Sequence, residues 1–219
     1  IKYARQDIHF LQSFDIKAIL IACGTVSTIL PKISEEMDIP VIGVVEPSAK
    51  RAASLSENKK IGIIGTNATI SSGAYEKALR VISADIVTES RSCPLFVPLV
   101  ENGRFLPGDI VIETIAEEYL EQFLQFGCDT LIMGCTHYPL LREIIEHILP
   151  GVSLVDSGAE ASDAICRLLK DLDMLNGSSA LGSTSYNVSD DPLSFARNGG
   201  IFMGSPLGPE VNKVDIDNF

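Results

Sequence analysis

Short β-branched or aliphatic runs alternate along this chain with longer stretches in which apolar positions return every three or four residues. The runs fall at residues 18–22, 41–45, 61–65, 130–133 and 153–155. Each is rich in β-branched and aliphatic residues and lacks polar alternation, the pattern of a parallel strand covered on both faces. Between them, Ile112, Ile115, Tyr119 and Phe123, and then Leu141, Ile144, Ile145 and Ile148, repeat with a period near that of an α-helix. Strand alternating with helix predicts an α/β fold with parallel sheets flanked by helices. Weaker strands are expected near residues 86–88 and 185–188, and residues 175–182, rich in Gly and Ser, read as a loop. After Gly204 the stretch with Pro206, Gly208 and Pro209 reads as a loosely held tail. At the other end Ile1 enters at once into an amphipathic pattern, with Ile8, Leu11 and Phe14 on one stripe, so the sequence reads as beginning inside a domain.

An internal repeat organises these elements. A shift of 112 residues lays Cys23 on Cys135 and carries Ile19, Leu20 and Ile21 onto Leu131, Ile132 and Met133. Ile29, Ile33 and Met37 then meet Leu141, Ile145 and Leu149, and Ala49 and Ala52 meet Ala161 and Ala164. Each half reads strand, Cys, Thr, helix, strand, small-residue turn, Ala-rich helix. The repeat predicts two pseudo-symmetric lobes with an active-site cleft between them, at the carboxyl ends of equivalent strands where ligands bind in open α/β sheets. The expected boundaries give residues 1–45 to the first lobe, 46–155 to the second, 156–204 to a return into the first, and 205–219 to the tail.

Composition narrows the partners. The 219 residues are 46% hydrophobic, and the mean hydropathy of +0.23 is that of a globular chain. No apolar run reaches the ~18 residues of a membrane span, and nothing at the start has the layout of a signal peptide. A cytoplasmic protein is expected. The formal net charge of -12 opposes nucleic acid and anionic membranes. The five cysteines are expected to be reduced thiols. Cys93, Cys128 and Cys166 read as small buried hydrophobes, and His9 and His147 as surface residues on helices.

Cys23 and Cys135 read differently, because each ends a strand and the repeat sets them on opposite sides of one cleft. Inverting a tetrahedral carbon requires taking a proton from one face and returning one to the other, so it calls for two facing acid/base groups. A thiol, with a reference pKa near ~8.5, can serve as either the acid or the base. Helix N-termini expected at Thr25-Val26 and Thr136-His137 would point amides at a substrate carboxylate. His137 lies two residues beyond Cys135 and is placed to polarise it. Gly65-Thr66-Asn67-Ala68-Thr69 passes from strand to helix with hydroxyls and amides for an anionic group, and no Gly-Lys-Ser/Thr follows to make it a P-loop. Cys23, Cys135 and His137 lack a fourth partner for zinc, and no Gly-x-Gly-x-x-Gly marks a dinucleotide site.

These segments resemble the glutamate racemases of the aspartate/glutamate racemase family. Ile21-Ala22-Cys23 with Thr25 is similar to the family's first cysteine motif, and Gly134-Cys135-Thr136-His137-Tyr138-Pro139-Leu140-Leu141 to its second. Residues 61–75 resemble its threonine loop, residues 93–101 the segment carrying an assisting Glu, and Asp156-Ser157-Gly158 and residues 190–196 also fit; the likeness runs over residues 1–204. It implies that Cys23 and Cys135 exchange the proton with help from Glu101 and His137, and that Gly24, Thr25, Thr66, Thr69 and Thr136 meet the substrate. It further implies no cofactor and no metal, D-glutamate for peptidoglycan, and a homodimer. Two departures stand out. The family's opening strand with Asp-Ser-Gly has no counterpart here, and Gly24 replaces the usual Asn, which removes a side-chain amide and is expected to loosen the backbone. The resemblance therefore implies a truncated or degenerate racemase. Two other readings remain: a sister racemase acting on aspartate or a hydantoin, and a binding protein that has lost turnover.

Overall fold

In the computed structural model, which describes residues 1–34, 37–208 and 210–219, the apolar runs become strands. The chain opens with α1 (Lys2–Gln12), β1 (Ile19–Ile21), α2 (Gly24–Ser27), β2 (Val41–Gly43) and α3 (Val45–Leu55). It continues with β3 (Lys60–Gly65), α4 (Asn67–Ser72), α5 (Ala74–Ile82), β4 (Val87–Ser92), α6 (Phe96–Glu101) and α7 (Ile110–Phe126). Then come β5 (Thr130–Met133), a 3-10 turn (Tyr138–Leu141), α8 (Arg142–Ile148), β6 (Ser153–Asp156) and α9 (Ser157–Asp171). Last are β7 (Tyr186–Val188), α10 (Pro192–Met203) and β8 (Val211–Lys213).

Two compact units result, residues 17–172 and residues 1–16 with 173–219. The larger holds two parallel sheets, β1-β2 and β4-β3-β5-β6. The α/β class expected from the pattern is the class observed. In β5, Leu131 and Met133 face a core with Phe96, Val100, Ile112, Leu120, Phe123 and Tyr138, while Ile132 faces a second core with Val45, Ala49, Ile61, Ile63, Tyr75 and Leu79. Successive side chains point to opposite faces of a strand, so a strand packed on both sides must be apolar throughout. The repeat is present as well: α3 starts at Val45 and α9 at Ser157, the 112-residue shift that carries Cys23 onto Cys135. Both copies pair their strands in parallel. The register differs by one residue, since Ile19 opposes Val41 whereas Leu131 opposes Leu154.

Several expectations change. The observed division does not follow the boundaries at 45, 155 and 204, because α3 packs on β5 and β6 and α9 packs on β1 and β2, which binds both halves of the repeat into one unit. Residues 205–219 are not merely a loose tail: β8 pairs in parallel with β7, Phe219 stacks edge-on against Phe10, and Asp217 accepts hydrogen bonds from Gln6 and Lys2. Pro209 lies outside the described residues. Cys93 and Cys128 are buried as expected, but Cys166 is exposed. On α1 the buried face is Ala4, Gln6 and Ile8, and Leu11 and Phe14 are exposed. Among the described residues no helix is long and apolar enough to cross a membrane, and no group of His, Cys, Asp or Glu is placed to hold a metal ion.

At the opposite end of the larger sheet, Asp129 ties down the turn before β3. Its carboxylate accepts hydrogen bonds from Ser56 Oγ, Glu57 N and Asn58 N, each at 2.7 Å. Partial burial pushes its pKa up, but these bonds and that from Thr130 outweigh it and hold the group below the ordinary carboxylate range. A carboxyl held low stabilises the fold above its unfolded pKa of ~3.9 and loses that contribution as pH falls through the folded value. Asp129→Ala is expected to cost about 1–3 kcal/mol at neutral pH, and progressively less in acid, by urea denaturation across a pH series.

Candidate active site

The site is assembled where β1, β3 and β5 end. Cys23 is the N-cap residue of α2, with extended backbone (φ -77, ψ 122), and its thiol is exposed. Ser27 fixes this turn: its hydroxyl donates to Ile21 O at 3.0 Å and accepts from Val44 N at 3.1 Å, tying α2 to both strands of its sheet. Thr66 caps α4, accepting from Thr69 N at 3.3 Å. An N-cap threonine is what a strand-to-helix junction favours. The Thr25 hydroxyl lies 2.9 Å from that of Thr66 and 3.2 Å from that of Thr69, and Thr66 and Thr69 are 3.0 Å apart. Three hydroxyls from two loops thus converge on one point, each able to donate or accept.

Cys135 follows β5 through Gly134, whose N–H donates to Ile64 O at 2.8 Å. The α-helix N-terminus expected at Thr136-His137 is instead a turn leading into the 3-10 segment, with Pro139 in its first turn. The His137 amide still acts on the thiol, pulling the Cys135 pKa down. The imidazole is engaged on both nitrogens. Its Nδ1 lies 3.8 Å from Cys135 Sγ and 3.3 Å from Thr136 Oγ1, and its Nε2 lies 3.0 Å from Glu101 Oε1. A carboxylate accepting from Nε2–H leaves Nδ1 of the neutral ring as the acceptor facing the thiol. Glu101 reaches this place because Tyr138 donates to Cys93 O at 3.1 Å and stacks edge-on with Phe96, locking α6 against the 3-10 turn.

The two cysteine loops touch. Gly24 is buried, and a Cβ built on it would overlap the Gly134 carbonyl oxygen. Gly24 therefore does not loosen the backbone; it is the residue that lets the loops close. The sulfurs also sense each other, for Cys23 raises the pKa of Cys135. Burial is the main cause of that rise, and Cys23 and Glu101 add to it; the His137 N–H and the Thr136 hydroxyl oppose it without cancelling it. Cys135 thus rests as the thiol at neutral pH. With an exposed Cys23 beside it, alkylation by iodoacetamide is expected at Cys23 first, with Cys135 catching up only as pH rises above the ordinary thiol range. Site-resolved mass spectrometry over a pH series reads this directly.

Every residue singled out from sequence, Cys23, Gly24, Thr25, Thr66, Thr69, Glu101, Cys135, Thr136 and His137, lies in the larger unit around these three strand ends. Tyr75 was not singled out, although its ring lies directly under Gly134. A groove of about 1310 Å³ between α3 and α9, lined by Lys50, Arg51, Glu160 and Arg167, is elsewhere, and none of the nine residues lines it. Its mixed charges select no ligand. The chemistry points to the thiols: two sulfurs on adjoining loops, one with an imidazole and a carboxylate behind it, can move protons to and from a carbon held between them.

The family described as Asp/Glu/Hydantoin racemase matches residues 3–165. The chain is 40% identical over 218 residues to a glutamate racemase of Geobacter metallireducens, covering 99% of this chain and 80% of the relative. It is 39% identical over 214 residues to that of Aquifex aeolicus, covering 97% and 80%. Among solved structures it is similar to glutamate racemase from Francisella tularensis in complex with D-glutamate, with a TM-score of 0.90 and 34% identity, covering 100% of this chain and 81% of that one.

Proposed function

Because this chain belongs to the Asp/Glu/Hydantoin racemase family, we propose that it interconverts L- and D-glutamate by proton transfer between Cys23 and Cys135, without a cofactor or metal. The observation that carries the mechanism is the contact of the two cysteine loops at Gly24 and Gly134, with Cys135 backed by His137 and Glu101. In one direction Cys23, as thiolate, takes the α-proton; the C–H electron pair passes into the substrate carboxyl group. The Cys135 S–H bond then breaks to deliver a proton to the opposite face, and the thiolate left behind is stabilised by the His137 N–H and the imidazole. The reverse reaction exchanges the roles. Thr25, Thr66, Thr69 and Thr136 and the amide of Gly24 hold the substrate's polar groups, which compensates locally for a chain of net charge -12.

The substrate is glutamate rather than aspartate or a hydantoin, supported by the relatives' names and by His137 following Cys-Thr. The reading extends to a cytoplasmic role in supplying D-glutamate for peptidoglycan and to a homodimer, for which light scattering would give twice the 23.6 kDa chain mass. Circular dichroism of each enantiomer of glutamate, aspartate and a hydantoin tests the assignment. Both glutamate signals are expected to decay to zero while the others persist. Decay with aspartate alone would move the chain to a sister activity, and thermal stabilisation by glutamate without decay would make it a binding protein.

A further inference from the structure

The carboxyl ends of β1 and β2 are joined by a side chain where a parallel ladder would use the main chain. Ile19 N–H donates to Pro40 O at 2.9 Å. Ile19 lies opposite Val41 and Ile21 opposite Gly43, so the same alternation would next bring Val44 N–H to Ile21 O. Val44 N–H donates instead to Ser27 Oγ at 3.1 Å, and that hydroxyl gives its own hydrogen to Ile21 O at 3.0 Å. One oxygen atom stands in for a ladder bond, which holds Val44 N and Ile21 O further apart than the ~2.9 Å of a direct bond. Around β3 the main chain carries on by itself: Gly134 N–H donates to Ile64 O at 2.8 Å and Cys93 N–H to Gly65 O at 2.9 Å.

The other half of the repeat reaches the same end with a different residue. Between β5 and β6, Ser153 N–H donates to Asp129 O at 2.8 Å and Met133 lies opposite Asp156, so the alternation would next bring Ser157 N–H to Met133 O. The Ser157 hydroxyl donates there at 2.7 Å. Ile21 and Met133 are equivalent under the 112-residue shift, and each stands two residues before a cysteine. The serines are not equivalent, for Ser27 falls on Pro139 and Ser157 on Val45. Two halves that draw the hydroxyl from different elements point to a requirement at the carbonyl rather than to an inherited residue.

We propose that Ser27 is a positioning residue for Cys23: its hydroxyl, inserted between the ends of β1 and β2, fixes the Ile21 carbonyl and with it the strand end that carries the thiol. Ser27 is buried, and Gly43 leaves it room, since a Cβ on that glycine would lie 2.9 Å from Ser27 Oγ. Without the hydroxyl, Val44 N–H and Ile21 O face each other and can close the ladder bond directly. That bond offsets much of what is lost, so the substitution moves Cys23 more than it weakens the fold. The kinetic arm of the test rests on the proposed racemase activity; the labelling arm does not.

In the whole chain, Ser27→Ala is expected to lower kcat about 10-fold in both directions, with KM within about twofold and the melting temperature within about 5 °C of the parent. Isotope effects with α-deuterated substrate locate the fault. For the enantiomer whose α-proton Cys23 removes, that removal becomes the slow step and the isotope effect rises. For the other enantiomer, delivery of a proton from Cys23 becomes the slow step and the effect of substrate deuterium falls. Iodoacetamide labelling reads the same asymmetry without turnover: the rate at Cys23 is expected to change about threefold or more while Cys135 keeps the parental rate. Ser157→Ala should give the mirror pattern, with Cys135 the thiol affected. A parent chain that does not racemise would remove the proposed activity and leave the labelling test intact. Parental rates at both thiols in Ser27→Ala, equal changes at both, or a chain that no longer folds would overturn the proposal, since each would make the hydroxyl ordinary scaffold.

Discussion

Cys135→Ala is expected to lower racemisation of either enantiomer by about 10³-fold or more, because it removes one of the two groups that must face each other across the substrate carbon. The fold should hardly change, since a side chain that is 8% exposed loses only its sulfur. What remains is informative. Cys23 alone can still take the proton of the enantiomer that presents its α-hydrogen to that side, and can return it only to the same side. Slow exchange of that hydrogen with solvent, without inversion and for one enantiomer alone, is therefore expected, and proton NMR in heavy water beside circular dichroism would resolve it. Cys23→Ala should give the mirror result, exchange confined to the other enantiomer. Equal exchange of both enantiomers in a single variant would mean that the thiols do not occupy opposite faces.

Gly24→Asn carries the second large effect. Asn is the residue usual in the family at this place, and substituting it would ordinarily be expected to restore a substrate contact. Here the incoming Cβ overlaps the Gly134 carbonyl oxygen, a backbone atom that cannot swing aside as a side-chain end would. The loops must part, carrying Cys23 away from Cys135. A loss of about 1–3 kcal/mol in stability is expected from the forced displacement. A fall in kcat of about 10²-fold should accompany it, the usual consequence of shifting a reacting group by an ångström. Urea denaturation and steady-state kinetics on the same preparation separate the two quantities. Higher kcat at unchanged stability would show that the close approach at Gly24 is not required.

The parallel strands were legible because burial on both faces leaves consecutive apolar positions, as in residues 131–133. The cysteine pair was legible through the repeat, which needs no contact information. What escaped depended on partners distant in sequence or on turns too short to have a period. The turn after Cys135 resembles a helix start in composition, but Pro139 and a single 3-10 turn replace it before α8 begins. β8 pairs with β7 across α10, so a three-residue strand among prolines and glycines gave no local signal. Tyr75 meets Ser157 at a separation of 82 residues, and nothing around either position marks the meeting. Glu101 and His137 stand 36 apart and were joined beforehand only through family resemblance. Cys166 looked like core because cysteine usually is, whereas the buried residues of α9 are Ser157 and Ala161.

The central claim is that two different groups act on opposite faces of one carbon. Initial-rate racemisation of protiated L-glutamate in heavy water, with both enantiomers recovered and their α-hydrogen analysed, tests it most directly. Two monoprotic thiols exchanging with solvent should yield D-glutamate carrying deuterium at Cα while the unreacted L-glutamate keeps its proton. D-glutamate that retains the original proton, or L-glutamate that gains deuterium as fast as product forms, would contradict it, for either would mean that one group serves both faces.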